Sequence, residues 1–100
     1  MYTLLNDVKE HLLIDKDFHD DDNYLISLIQ VCEDAVQKDL GYKYTDILED
    51  GRLPKSVSQA ILLLIGNFYN NREAVVYGSP VEVPLAYRYL LNLQRNWSIP

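Results

Sequence analysis

The chain has 100 residues, 48% of them hydrophobic and 24% charged, and a net charge of -6. That length holds one hydrophobic core and not two, and that composition is too apolar for an intrinsically disordered segment. A chain this acidic gains nothing by releasing counterions from DNA, which argues against sequence-independent nucleic-acid binding.

Thr3 reads as an N-cap, with Leu4, Leu5, Val8, Leu12 and Leu13 following at helical spacing, so a first helix is expected over about 4–13. The acidic segment from Asp15 to Asp22 then breaks the pattern, because short polar side chains compete for backbone hydrogen bonds. Asp20, Asp21 and Asp22 also supply the negative charge that a helix N-terminus favours. A second helix is expected over about 22–40, where Leu25, Leu28, Ile29, Cys32, Ala35, Val36 and Leu40 make one apolar stripe. Gly41 supplies its left-handed stop. Residues 42–53 form a connector, with a turn at Asp50-Gly51.

Pro54 opens a third helix that reaches about Asn71 or Glu73, and its run 60–65 is apolar all round, marking it as the central helix. Gly66, costing roughly 1 kcal/mol in a helix interior, implies a close neighbour there. Residues 74–83 form a long loop, expected to be mobile in the free protein, in which 81–83 allow a short strand. Pro84 then opens a last helix over about 85–95, with Leu85, Tyr89, Leu91 and Leu93 among its apolar members. The expected fold class is all-α, a small bundle of about four helices forming one domain over residues 1–100.

Motifs for catalytic or metal chemistry are largely missing from the chain. Asp15, Asp17 and His19 alternate as calcium ligands do, but Asp20 and Ile26 stand where the EF-hand loop needs glycine and a bidentate glutamate. His11 and His19 are eight apart across a helix break, which suits two surface histidines better than a zinc pair. Cys32 lies on an apolar stripe, as a small core residue does. Paired Glu-x-x-His motifs, phosphate loops, dinucleotide fingerprints and serine elbows are absent, so no catalytic, cofactor-binding or metal residues are assigned and no enzyme is expected. The longest apolar run falls well short of the roughly 20 residues that span a bilayer. The opening residues lack a signal-peptide pattern and one cysteine cannot pair internally, which together fit a reducing cytoplasm.

Charge and aromatic residues point elsewhere. Residues 1–50 hold 13 acids and 4 bases, and residues 51–100 hold 2 acids and 5 bases. An acidic front and a basic back suit copies meeting head to tail, although solvated faces show the same pattern. The chain has eight tyrosines, of which Tyr69, Tyr77, Tyr87 and Tyr89 share the second half with Arg72, Arg88 and Arg95. Tyrosine and arginine are enriched at interface hot spots, and the same tyrosines also suit the rim of a core.

Leu5-x-x-Val8-Lys9-x-x-Leu12, closed by Ile14-Asp15, resembles the opening of the head–tail connector proteins of tailed double-stranded DNA phages. Leu53-Pro54, Ala60-Ile61 and Tyr69-Asn70-Asn71-Arg72-Glu73 resemble that family's central helix and its ending. A variable loop and a proline-started helix with Leu90-Leu91 and Arg95 complete the likeness over nearly the whole chain. Gln94 departs from it, since an aromatic residue often precedes the late arginine. The resemblance implies a structural subunit that forms a ring joining the portal to the tail. Its partners would be further copies of itself, the portal protein and a tail or stopper protein, with DNA passing through unbound and no membrane. It places the protein in the virion neck, and in the host cytoplasm during assembly. The interface candidates are Tyr69, Asn71, Arg72, Glu73, Tyr77, Tyr87, Arg88 and Arg95. Arg72 has two readings: a bridge to the Asp20–Asp22 stretch of the next subunit, or a brace on its own helix end. The alternative function is a small accessory DNA-packaging or regulatory protein contacting nucleic acid.

Overall fold

The structure is a computed structural model that describes residues 2–70 and 85–98, the side chains of 95–98 excepted. In chain order it holds α1 (Leu5–His11), α2 (Asp22–Leu40), a 3-10 turn (Tyr44–Asp46), α3 (Lys55–Asn70) and α4 (Leu85–Ser98). Among the described residues there are four α-helices and no strand, so the fold is a small all-α bundle.

α3 is the centre. Val57, Ala60, Ile61, Leu64 and Ile65 are buried, and α1, α2 and α4 all pack on it, most extensively α4 and then α2. The stripe of α2 closes the core from one side through Leu25, Leu28, Ile29, Cys32, Val36 and Leu40. Ala35 packs at its edge, and Tyr87 and Leu91 close the core from α4. Burial of each such side chain is worth about 1.5–3 kcal/mol, so this stripe, more than helix propensity, holds the bundle together.

Two helix stops follow the expected chemistry. Gly41 ends α2 at φ 83°, its N–H bonded to the Gln37 carbonyl at 3.1 Å. Asp50 and Gly51 both have positive φ, and Glu49 and Arg52 exchange backbone bonds of 2.7 and 3.0 Å across them. That is a two-residue turn of the I′ type, for which Asp-Gly is a preferred pair. Pro54 stands one position before α3, its carbonyl accepting the N–H of Ser58 at 3.0 Å.

The first helix departs from expectation at both ends. Leu4 and not Thr3 occupies its N-cap, without a side-chain cap. Thr3 is instead buried, its N–H given to Glu33, so a tertiary partner replaces the local cap. Leu13 lies beyond the helix end at φ 60° and is 92% exposed, and Leu4 is exposed too, so neither belongs to the apolar stripe. Gly66 does have a close neighbour: a β-carbon there would lie 3.5 Å from His11 Nε2 and 3.6 Å from Leu12 Cδ2. His11 is therefore half-buried over α3, and only His19 is a surface histidine. The last helix extends to Ser98, three residues past its expected end. The loop at 74–83, the strand at 81–83 and the exact end of the central helix lie outside the described residues.

Candidate functional site

Two buried charges tie the N-terminal region to the bundle. Lys9 stands among Leu5, Val8 and Leu12 on the inner face of α1 and is only 2% exposed. Its Nζ donates to the carbonyls of Phe18 (2.7 Å) and Lys16 (3.3 Å) and pairs with Asp22 Oδ1 at 2.7 Å. Two carbonyls take its hydrogen bonds and the Asp22 carboxylate supplies the opposite charge, which is how a buried lysine avoids a large desolvation penalty. Asp22 Oδ2 lies 2.9 Å from His19 Nδ1. The Lys9 ammonium first, and His19 second, hold the Asp22 carboxyl below the usual carboxylate range. The acidic segment is thus folded around one lysine. Asp15 adds an Asx turn, its Oδ1 accepting the Asp17 N–H at 3.0 Å.

Glu33 is the second buried charge. Its Oε2 accepts the N–H groups of Tyr2 (2.7 Å) and Thr3 (2.6 Å), and its carbonyl accepts the Tyr44 hydroxyl. The Tyr2 ring meets the Tyr44 ring edge-on at 5.3 Å. Burial, then the charge of Glu33, push the Tyr44 hydroxyl well above the ordinary tyrosine range. Glu33 was not singled out from the sequence, and Lys9 entered only as one residue of the Leu5-x-x-Val8-Lys9-x-x-Leu12 motif, without a role. The signal for Lys9 is its spacing, four after Leu5 and three before Leu12, which puts it within an apolar stripe.

The expected interface residues fall into three groups. Tyr69 is half-buried, with its hydroxyl on Asp21 Oδ2 at 3.0 Å and its ring 6.4 Å from that of Tyr24. Tyr87 is buried, with its hydroxyl on Asp39 Oδ2 at 2.9 Å. Both tyrosines therefore brace their own chain. Arg88 is exposed on α4 beside Tyr89, which is 64% exposed. Asn71, Arg72, Glu73 and Tyr77 lie outside the described residues, and the Arg95 side chain does too. Two of the aspartates considered as acceptors for Arg72 are engaged within the chain, Asp21 by Tyr69 and Asp22 by Lys9 and His19.

Other chemistry is sparse. Cys32 is buried, and burial first and Glu33 second push its thiol up to about 12, so it is a core side chain at neutral pH. Among the described residues no three His, Cys, Asp or Glu side chains converge as metal ligands, and no helix is long and apolar enough to cross a membrane. A groove of about 500 Å³ lies where the connector meets α3 and α4, between Asp46, Glu49, Pro54 and Gln94.

The model of one protein family, described as phage gp6-like head-tail connector protein, matches residues 2–95. No curated protein and no solved structure matches the chain. With 94 of its 100 residues inside the match, the chain belongs to the phage gp6-like head–tail connector family.

Proposed function

We propose that the chain is a structural subunit of the virion neck, one domain over residues 1–100, which assembles as a ring between the portal and the tail. The match to the connector family over residues 2–95 carries this reading. The ring meets the portal protein on one side and a tail or stopper protein on the other, and forms in the host cytoplasm during assembly. The interface candidates Asn71, Arg72, Glu73, Tyr77, Arg88 and Arg95 belong to these contacts, with Arg88 the one whose exposure is on view.

The acidic first half supports the passage of DNA without adhesion. Asp20, Asp46, Glu49 and Asp50 are all exposed, and carboxylates facing a channel repel phosphate.

The test is to mix the purified chain with the portal protein of the same phage and image the complex. A ring stacked on the portal, its lumen acidic, is the expected result. A chain that ignores the portal and binds duplex DNA in a salt-sensitive manner overturns it.

A further inference from the structure

Leu13 is an anomaly of both backbone and solvation. A bulky side chain at φ 60° is strained, which is why glycine usually fills the left-handed position after a helix. The turn is held by the Leu13 N–H on the Glu10 carbonyl (3.2 Å) and the Ile14 N–H on the Lys9 carbonyl (2.8 Å). The loop that follows the turn is tied back to α1 by Lys9 through the Lys16 and Phe18 carbonyls. An apolar side chain is therefore held rigidly in water, at a site where glycine would fold more easily. Strain kept in this way marks a site under some other demand. Around it the surface is acidic on balance, with Glu10, Asp15 and Asp17 exposed against a single base, Lys16.

A second surface has the opposite character. The outer face of α4 carries Leu85 (85% exposed), Arg88 and Tyr89 at helical spacing, while Tyr87 and Leu91 face the core. Leucine and tyrosine flank an arginine there, with no acidic residue between positions 85 and 98. The leucine knob with its carboxylates and the apolar stripe with its guanidinium are complementary in polarity and in charge.

We propose that these two surfaces bind each other between copies of this chain, Leu13 of one copy seating against Leu85 and Tyr89 of the next while Asp15 and Asp17 face Arg88. Two different surfaces make the contact heterologous, the kind that repeats from copy to copy and closes into a ring when the rotation allows. The inference deepens the ring reading, and rests on it for the step from contact to ring.

Sedimentation of the purified full chain over a wide concentration range, with a thermal melt of each variant, tests it. Leu13→Gly removes the knob and relieves the backbone strain, so self-association should weaken at least tenfold while the melting temperature stays or rises. Arg88→Glu should weaken association similarly, and Arg52→Glu, an exposed base off both surfaces, should not. Self-association that survives Leu13→Gly and Arg88→Glu overturns the contact and leaves the ring reading standing. A wild-type chain that stays monomeric throughout also overturns it, and a ring built only on the portal then remains open to its own test. Loss of portal binding in Arg88→Glu with self-association intact assigns the α4 stripe to the portal and overturns the proposal as well.

Discussion

Lys9 carries its charge into a position that water barely reaches, and what it holds there is backbone. Lys9→Met keeps much of the buried stem and removes the ammonium, leaving the Lys16 and Phe18 carbonyls short of a donor. Unmade hydrogen bonds of this kind cost about 1–3 kcal/mol each, and a loop near the surface regains some from water, so a loss of about 2 kcal/mol in denaturant unfolding is expected. Wild-type stability in Lys9→Met would show that the loop is held without its lysine. Gly66 is the opposite case. The β-carbon of Gly66→Ala meets His11 and Leu12 at ordinary contact distance, and α3 gains a better helix former. Gly66→Ala should therefore stabilise the chain, by roughly 0.5–1 kcal/mol on the same measurement. A loss instead would mean that α1 sits closer to α3 than 3.5 Å contacts imply.

At the scale of elements, α1 is the piece whose place depends most on polar clasps. With seven residues it is too short to be stable alone, and Val8 is its one fully buried apolar side chain. Lys9 clasps its far end, and Glu33 clasps the segment before it through the Tyr2 and Thr3 amides. Glu33→Ala should cost about 2 kcal/mol, since hydrogen bonds to charged groups are worth about 1.5–3 kcal/mol. It should also raise hydrogen exchange at Thr3 and through α1 before the rest of the bundle. Uniform exchange across α1, α2 and α3 would instead show that the clasp is not local. These clasps are also the part that the sequence concealed. The stripe of α2, the glycine stop at Gly41, the Asp-Gly turn and the all-apolar run of α3 are local patterns, and each appears in the fold as read. Leu13 and Thr3 were misread because helical spacing alone says nothing of where a helix ends against its neighbours. The tyrosine hydroxyls belong to the same class: Tyr69 finds Asp21 and Tyr87 finds Asp39, each 48 residues away. Only the fold makes such pairs, whereas family membership was legible because its motifs recur in order along the chain.

For the whole molecule, the titrating groups fix a pH window of stability with a distinct cause at each side. Asp22 is held below its ordinary value by Lys9 and His19. A group lowered in the folded state contributes stability above its unfolded value near 3.8, and that contribution is lost as pH falls through the folded value. Asp22→Asn should therefore flatten the acid side of a stability profile below about pH 4, where the wild-type curve drops. On the alkaline side the sign reverses. Cys32 is raised from 9.0 to about 12, so folding keeps the thiol protonated while the unfolded chain gives up its proton. That stability is complete below pH 9 and drains away as pH climbs toward 12. Tyr44 acts in the same direction from its unfolded value of 10.0 upward. Cys32→Val fills the same buried space without a titrating group. Denaturant melts of Cys32→Val between pH 7 and 12 should show the alkaline decline beginning near pH 10, where Tyr44 takes over, about one unit later than in the wild type. A decline that still begins near pH 9 would place its origin outside the α2 core.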